Sequence, residues 1–123
     1  SAVKSYTRGK VISVFGCGGD RDKTKRPIMG KISTSIADFT IITSDNPRTE
    51  DPDTIVNEIE VGAKKAKGKY KKIVNRTEAI KYAINMASKN DIIVLAGKGH
   101  ETYQEINGIK HHYDEREIIK EVI

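Results

Sequence analysis

A short β-branched run leads directly into four residues that could bind a small charged molecule. Residues 39–43 are typical of a buried strand, and Asp45, Asn46, Pro47 and Arg48 follow it. An acid, an amide and a guanidinium on a backbone stiffened by proline suit a ligand with both amino and carboxylate groups. The same residues suit an ordinary turn, because Asp and Asn bond to nearby backbone and proline presets φ. The four residues alone leave both interpretations open.

Two further loops carry charged residues at the ends of predicted strands. The first is a glycine loop at residues 16–19, followed by Asp20, Arg21 and Asp22. Its spacing is not that of a dinucleotide fingerprint, and the two acids would repel a pyrophosphate, so a sharp strand-to-helix turn explains it equally well. Basic residues at the start of the next helix still favour an anion.

The second of these loops, residues 97–101, contains Gly97, Lys98 and Gly99, followed by His100 and Glu101. The spacer and the hydroxyl residue of a Walker A loop are missing. Exposed main-chain carbonyls and a carboxylate suit an ammonium better than a phosphate. A turn or capping role for the last two residues is the alternative.

Size and charge narrow the class of protein. The 123 residues suffice for one domain, and we expect residues 1–123 to form it. The net charge of +5 comes largely from residues 23–31 and 64–72. Since no aromatic residues are spaced through a basic stripe, we expect no nucleic-acid partner, and no apolar run approaches the ~20 residues of a membrane span.

The lone cysteine bears on the cellular location of the protein, and the N-terminal residues bear on whether the domain is complete. Cys17 has no partner for an internal disulfide and no histidine at a nucleophile-like spacing, which favours a cytoplasmic protein and a packing role. His111 and His112 are adjacent in a predicted strand, so we expect no metal site there. The chain starts with Ser1, lacks a secretory signal and has no strand pattern before Val11, so we expect that its first strand has been removed.

Strand and helix patterns alternate along the chain. Predicted strands cover residues 11–15, 39–43, 72–75 and 91–96. Apolar residues at helical spacing separate them: Ile28, Met29, Ile32 and Ile36; Ile55, Val56, Ile59, Ala63 and Ala66; Ala79, Ile80, Ala83, Ile84 and Ala87. This alternation predicts an α/β fold, a Rossmann-like and mostly parallel sheet with helices on both faces.

Local signals mark the ends of several elements. Asp51 with Pro52, and Asn75 with Glu78, predict the beginnings of two helices. Residues 102–113 around a central Asn-Gly pair predict a C-terminal β-hairpin, with a closing helix at 115–123.

Parallel strands place their carboxyl ends at one edge of the sheet, where ligands bind. The three loops would therefore bring together Arg21, Asp45, Asn46, Arg48 and Glu101. Two guanidiniums suit carboxylates and two acids suit ammonium groups, so the ligand implied is a zwitterion. A stand-alone nucleotide- or phosphate-binding module that uses the glycine loop is the main alternative.

Three motifs resemble the C-terminal domain of the Mur ligases, in particular the MurE branch. They are FGCGGDRDK at 15–23 with KRP at 25–27, TSDNPR at 43–48 and AGKGHE at 96–101. A fourth, YDERE at 113–117, departs from the family's usual FDDRE at Glu115. The resemblance covers residues 11–123 and implies an enzyme that adds meso-diaminopimelate to UDP-N-acetylmuramoyl-L-alanyl-D-glutamate in peptidoglycan synthesis, with meso-lanthionine as an alternative amino acid.

The resemblance also implies roles for individual residues. The incoming amino acid would be bound by Arg21, Asp45, Asn46, Pro47, Arg48, Gly97 and Glu101. The reaction would be ATP-dependent amide formation with Mg²⁺, bound mainly by a central domain that this chain lacks. We therefore expect the 123 residues alone to be inactive in ligation.

Overall fold

The computed structural model describes residues 9–19, 23–66, 68–88 and 91–95, together with the strands at 103–106 and 109–112. The strands are β1 (Val11–Phe15), β2 (Phe39–Ile42), β3 (Lys69–Lys72), β4 (Ile92–Leu95), β5 (Tyr103–Ile106) and β6 (Ile109–His112). The helices are α1 (Lys25–Ile36), α2 (Pro52–Lys65) and α3 (Arg76–Met86).

Strands β1 to β4 form a parallel sheet in the order β3-β2-β1-β4. Each crossover between successive strands contains a helix, as parallel pairing requires. The order equals that of the first four strands of a Rossmann sheet. The predicted α/β, Rossmann-like fold is confirmed.

Apolar side chains cover both faces of the sheet. On one face Ile12, Val14 and Ile41 pack against α3. On the other face Phe15 and Ile42 pack against α2. This arrangement follows from the alternation of side chains along each strand, and it explains why the strand sequences are apolar at successive positions.

Helices α1 and α2 approach each other closely through glycine. A Cβ atom at Gly62 would lie 1.6 Å from the carbonyl oxygen of Pro27, and one at Gly30 would lie 2.2 Å from that of Ile59. Backbone therefore lies against backbone at two points, which fixes α1 relative to α2.

The predicted helix caps are confirmed. The Asp51 carboxylate accepts a hydrogen bond from the Asp53 N–H at 3.1 Å, with Pro52 at the first helical position. Asn75 Oδ1 accepts one from the Glu78 N–H at 3.0 Å.

Strand β3 occupies residues 69–72, so the prediction of residues 72–75 was wrong. Its sequence is Lys-Tyr-Lys-Lys, and its three lysines are exposed. Among the described strands β3 lies at the edge of the sheet, where side chains need not be apolar. The strand was predicted three residues too far along the chain because the hydrophobic residues Ile73 and Val74 follow it.

Helix α1 turns its apolar stripe outward. Ile28, Met29, Ile32 and Ile36 are 58%, 43%, 53% and 45% exposed. The buried positions of α1 are instead Arg26, Gly30 and Thr34. Apolar spacing located the helix correctly but did not identify its buried face.

Strands β5 and β6 pair in antiparallel register, with Ile106 opposite Ile109, which confirms the predicted hairpin. The Asn-Gly turn and the predicted helix at 115–123 lie outside the described residues. None of the helices in the described ranges is long and apolar enough to cross a membrane.

Candidate functional site

The loops after β1 and β2 leave the same edge of the sheet side by side. These strands are parallel neighbours, with Phe15 opposite Ile42. The ladder continues past the strand ends, because the Thr43 N–H donates to the Phe15 carbonyl at 2.9 Å. A Cβ atom at Gly16 would lie 2.3 Å from the Thr43 carbonyl oxygen. The two loops are therefore in contact from their first residues.

Gly19 joins the glycine loop to the loop that contains Asn46 and Pro47. Its N–H donates to the Asn46 carbonyl at 2.6 Å. A Cβ atom at Gly19 would lie 1.7 Å from the Pro47 carbonyl oxygen, well inside van der Waals contact. A side chain at this position would force the loops apart.

Arg48 holds the same junction with its side chain. Its Nη1 donates to the carbonyl oxygens of Gly19, at 3.1 Å, and Asn46, at 3.2 Å. Its backbone has φ of 55°, a left-handed conformation that costs a residue with a side chain about 1 kcal/mol. Such strain is concentrated at functional sites, where the surrounding structure sustains it.

The residues before Arg48 are enclosed. Asp45 is 8% exposed and Asn46 3% exposed, and Pro47 is also buried. Arg48 itself is half-buried. Of the predicted site residues that the structure describes, Arg48 therefore has the side chain with the most access to solvent.

Three predicted site residues, Arg21, Gly97 and Glu101, lie outside the described residues. The strand that precedes the last two is β4, which pairs with β1 so that Leu95 lies opposite Val14. The carboxyl ends of β2, β1 and β4 are therefore consecutive along one edge, as the sequence predicted.

Two arginines beside these loops are buried, which was not predicted. Arg26 is 1% exposed and donates to the Gly18 carbonyl at 3.1 Å, and Arg76 is 2% exposed and donates to the Ser44 carbonyl at 3.2 Å. The sequence placed Arg26 in a basic, anion-attracting run and in the first family motif, but gave it no buried position. Its burial has no local signal, because its partners are distant along the chain.

Two carboxylates accompany the Arg26 guanidinium. Nη1 donates to Glu58 at 2.6 Å and Nη2 to Glu50 at 2.5 Å. Burial opposes the charge of Arg26, but the hydrogen bonds with both glutamates outweigh it and raise its pKa. Partial burial would raise the pKa of Glu50, yet its bonds to Arg26 and Lys23 lower it. Both partners of this pair are therefore charged at neutral pH.

Cys17 lies near Arg26 and Asp45. Burial raises the pKa of its thiol to about 11, the positive charge of Arg26 partly offsets this, and the negative charge of Asp45 adds to it. Its Sγ contacts Met29 Sδ at 3.8 Å. These features suit a packed thiol better than a nucleophile.

Cys17 should therefore react slowly with iodoacetamide at pH 7.5. Raising a thiol pKa from 9 to about 11 lowers the thiolate fraction at that pH about 100-fold. Peptide mass spectrometry should show alkylation that keeps accelerating up to about pH 11, against a glutathione control. A plateau just above pH 9 would contradict the expectation.

A cavity of about 790 Å³ lies at the other end of the sheet, between Lys10, Phe39 and Lys69. None of the predicted site residues lines it. Within the part of the chain that the structure describes, no three His, Cys, Asp or Glu side chains are grouped to hold a metal ion.

Known proteins show similarity over nearly the whole chain. The family model for the Mur ligase, glutamate ligase domain, matches residues 1–99. UDP-N-acetylmuramoyl-L-alanyl-D-glutamate--2,6-diaminopimelate ligase of Clostridioides difficile (strain 630) is 52% identical over 121 residues, which are 98% of this chain and 25% of that protein. The ligase of the same name from Caldanaerobacter subterraneus is 55% identical over 122 residues, 99% of this chain and 25% of that protein.

A solved structure of a ligase with this name superposes on this chain with a TM-score of 0.92 at 44% sequence identity. The match covers 98% of this chain and 25% of the solved one. The chain thus spans about a quarter of the length of the curated relatives it matches. The family predicted from the three motifs is confirmed: the chain belongs to the Mur ligase family and corresponds to its C-terminal domain.

Proposed function

We propose that this chain is the amino-acid-binding domain of an ATP-dependent ligase that adds meso-diaminopimelate, or a similar diamino diacid, to UDP-N-acetylmuramoyl-L-alanyl-D-glutamate. The observation that carries the proposal is the strained, half-buried Arg48, held at the carboxyl edge of the sheet by two carbonyl groups. The names of relatives that are 52% and 55% identical support the same substrate. Such a ligase would act in the cytoplasm, in peptidoglycan synthesis.

Arg48 would bind the carboxylate at the far end of the amino acid. Both of its carbonyl contacts use Nη1. A guanidinium suits a ligand carboxylate, because its paired N–H groups match two carboxylate oxygens. The carbonyl contacts would orient the guanidinium before the ligand arrives, which lowers the entropy lost on binding.

The remaining predicted residues would bind the other charged groups of the ligand. Arg21 and Asn46 would bind carboxylate, and the Gly97 carbonyl with Glu101 would bind the distal ammonium. Pro47 would stiffen the loop, and Asp45 would add negative charge near the ligand's ammonium groups. L-Lysine lacks the second carboxylate, so it would not supply the anion that Arg48 would otherwise bind in a partly desolvated site.

ATP and Mg²⁺ would be bound by another part of the full-length protein. The 123 residues contain no Walker A motif, and the described residues offer no metal-binding cluster. The chain's own part in the reaction would be to hold the amine of the amino acid for attack on the acyl phosphate of D-glutamate.

Product formation by the full-length protein tests the proposal. The purified protein would receive ATP, Mg²⁺, the UDP-linked dipeptide and one amino acid at a time, with products measured by mass spectrometry. We expect a kcat/KM for meso-diaminopimelate at least ~100-fold above that for L-lysine, because an unpaired site charge penalises lysine.

Assays with meso-lanthionine and L-lysine test the assigned amino acid separately from the ligase activity. Meso-lanthionine has the same charged groups and should react within ~10-fold of meso-diaminopimelate, since only one methylene differs. Equal use of L-lysine would overturn the assigned amino acid. If no amino acid gives product while residues 1–123 alone bind ATP or NAD in a calorimetric titration, the module would be a nucleotide binder instead.

A further inference from the structure

Arg26 joins three segments of the chain at the edge of the site. Its guanidinium contacts the Gly18 carbonyl in the glycine loop, Glu50 after β2 and Glu58 in α2. The side chain is 1% exposed, while those of Glu50 and Glu58 are 17% and 33% exposed. A fully buried cation thus bridges two loops and a helix.

These contacts lie on both sides of the loop junction. Gly18 directly precedes Gly19, whose carbonyl accepts from Arg48. On the other loop, Glu50 follows Arg48 by two residues and donates its N–H to the Pro47 carbonyl at 3.0 Å. The glycine loop is therefore held at adjacent carbonyls by two guanidiniums, those of Arg26 and Arg48.

A gain in stability alone does not account for Arg26. Buried ion pairs are often no more stabilising than well-packed apolar residues, because both charges lose their hydration. A planar guanidinium does, however, fix the distance and orientation of the groups that accept its hydrogen bonds. The contact with the Gly18 carbonyl uses this property, because a glycine-rich loop has few side chains through which it could be held.

We propose that Arg26 is a positioning residue for the amino-acid site: it sets the glycine loop against the Asp45–Arg48 loop and does not touch the ligand. This inference rests on the proposed function. It assigns to the buried Arg26 the task of maintaining the spacing at which both loops bind the two ends of one small molecule.

Two variants of the full-length enzyme test the role. Arg26→Lys keeps the charge but loses the planar fork that contacts three acceptors, and Glu58→Gln keeps Arg26 but weakens one anchor. We expect Arg26→Lys to raise the KM for meso-diaminopimelate about 10-fold, with smaller effects for Glu58→Gln. The KM for ATP should change less than twofold in both.

A core variant controls for destabilisation alone. Ile55→Val lies in α2, the helix that contains Glu58, and Ile55 belongs to the buried apolar cluster on that face of the sheet. Each enzyme would be assayed at the same interval below its own Tm. The control should keep the wild-type KM for the amino acid.

Amide exchange gives a readout that needs no activity. The Gly19 N–H donates to Asn46 across the junction, so it should exchange about 10-fold faster in Arg26→Lys than in Ile55→Val. Both the KM and the exchange rate must change, and a change in only one or in neither overturns the inference. If the wild-type enzyme forms no product, the proposed function fails, and unchanged Gly19 exchange would separately show that Arg26 does not hold the loop.

Discussion

Replacing Arg48 with alanine should raise the KM for meso-diaminopimelate about 100-fold in the full-length enzyme, while the KM for ATP changes less than twofold. A charge-assisted, paired hydrogen bond to a carboxylate contributes up to about 3 kcal/mol, and 1.4 kcal/mol corresponds to a factor of ten. The variant also loses the contacts to Gly19 and Asn46 that order the loop. Steady-state kinetics with each substrate varied in turn would measure the effect.

The Arg48→Gly variant distinguishes the effect of losing the side chain from the effect of the strained backbone at this position. Because φ is 55° there, Arg48→Gly should relieve about 1 kcal/mol of strain and leave the Tm at or above that of Arg48→Ala. Its KM for the amino acid should nevertheless rise as much as in the alanine variant. Equal effects on the amino acid and on ATP would contradict the role of Arg48, as would a wild-type KM in Arg48→Gly.

Replacing Gly19 with alanine should both destabilise the protein and impair amino-acid binding. The new methyl group would lie 1.7 Å from the Pro47 carbonyl oxygen, a backbone atom that cannot rotate away. Overpacking of this kind costs about 1–3 kcal/mol. Because relief requires the loops to separate, the KM for meso-diaminopimelate should rise about 10-fold, as measured with thermal unfolding and kinetics on the same samples.

Gly68→Ala is the matched control for this variant. Its Cβ would lie 2.2 Å from the Thr34 carbonyl oxygen, a backbone clash at the end of α1 opposite to Arg26. It should lower the Tm to a similar extent without a specific rise in the KM for the amino acid. If Gly19→Ala keeps the wild-type Tm and KM, the close contact of the two loops is not needed for binding.

Local signals predicted the order and type of the described elements well. Asp51 and Asn75 cap helices by interactions within three residues, so the sequence contains both partners. The strands β1 and β2 are buried on two faces, so their apolar runs reveal them. Proximity of the loops after these strands followed from parallel pairing alone.

Features that depend on distant partners were not predictable. Arg26 is buried because Glu50 and Glu58, 24 and 32 residues away, meet it in space. The left-handed backbone of Arg48 has no signal either, since this conformation favours glycine or asparagine. The proposed ligand contacts of Arg21, Gly97 and Glu101 stay predictions, because these residues lie outside the described ranges.

The lysines of β3 affect whether two copies of the protein can associate through their sheet edges. An edge strand has unpaired main-chain groups that can add a strand from another chain. Lys69 and Lys71 are exposed along this edge of the described sheet, whereas Lys72 is paired with Glu60 at 2.9 Å. Two copies that approached edge to edge would therefore bring like charges together. The cost of those charges favours separate molecules over an intermolecular sheet, even though the backbone of β3 could extend it.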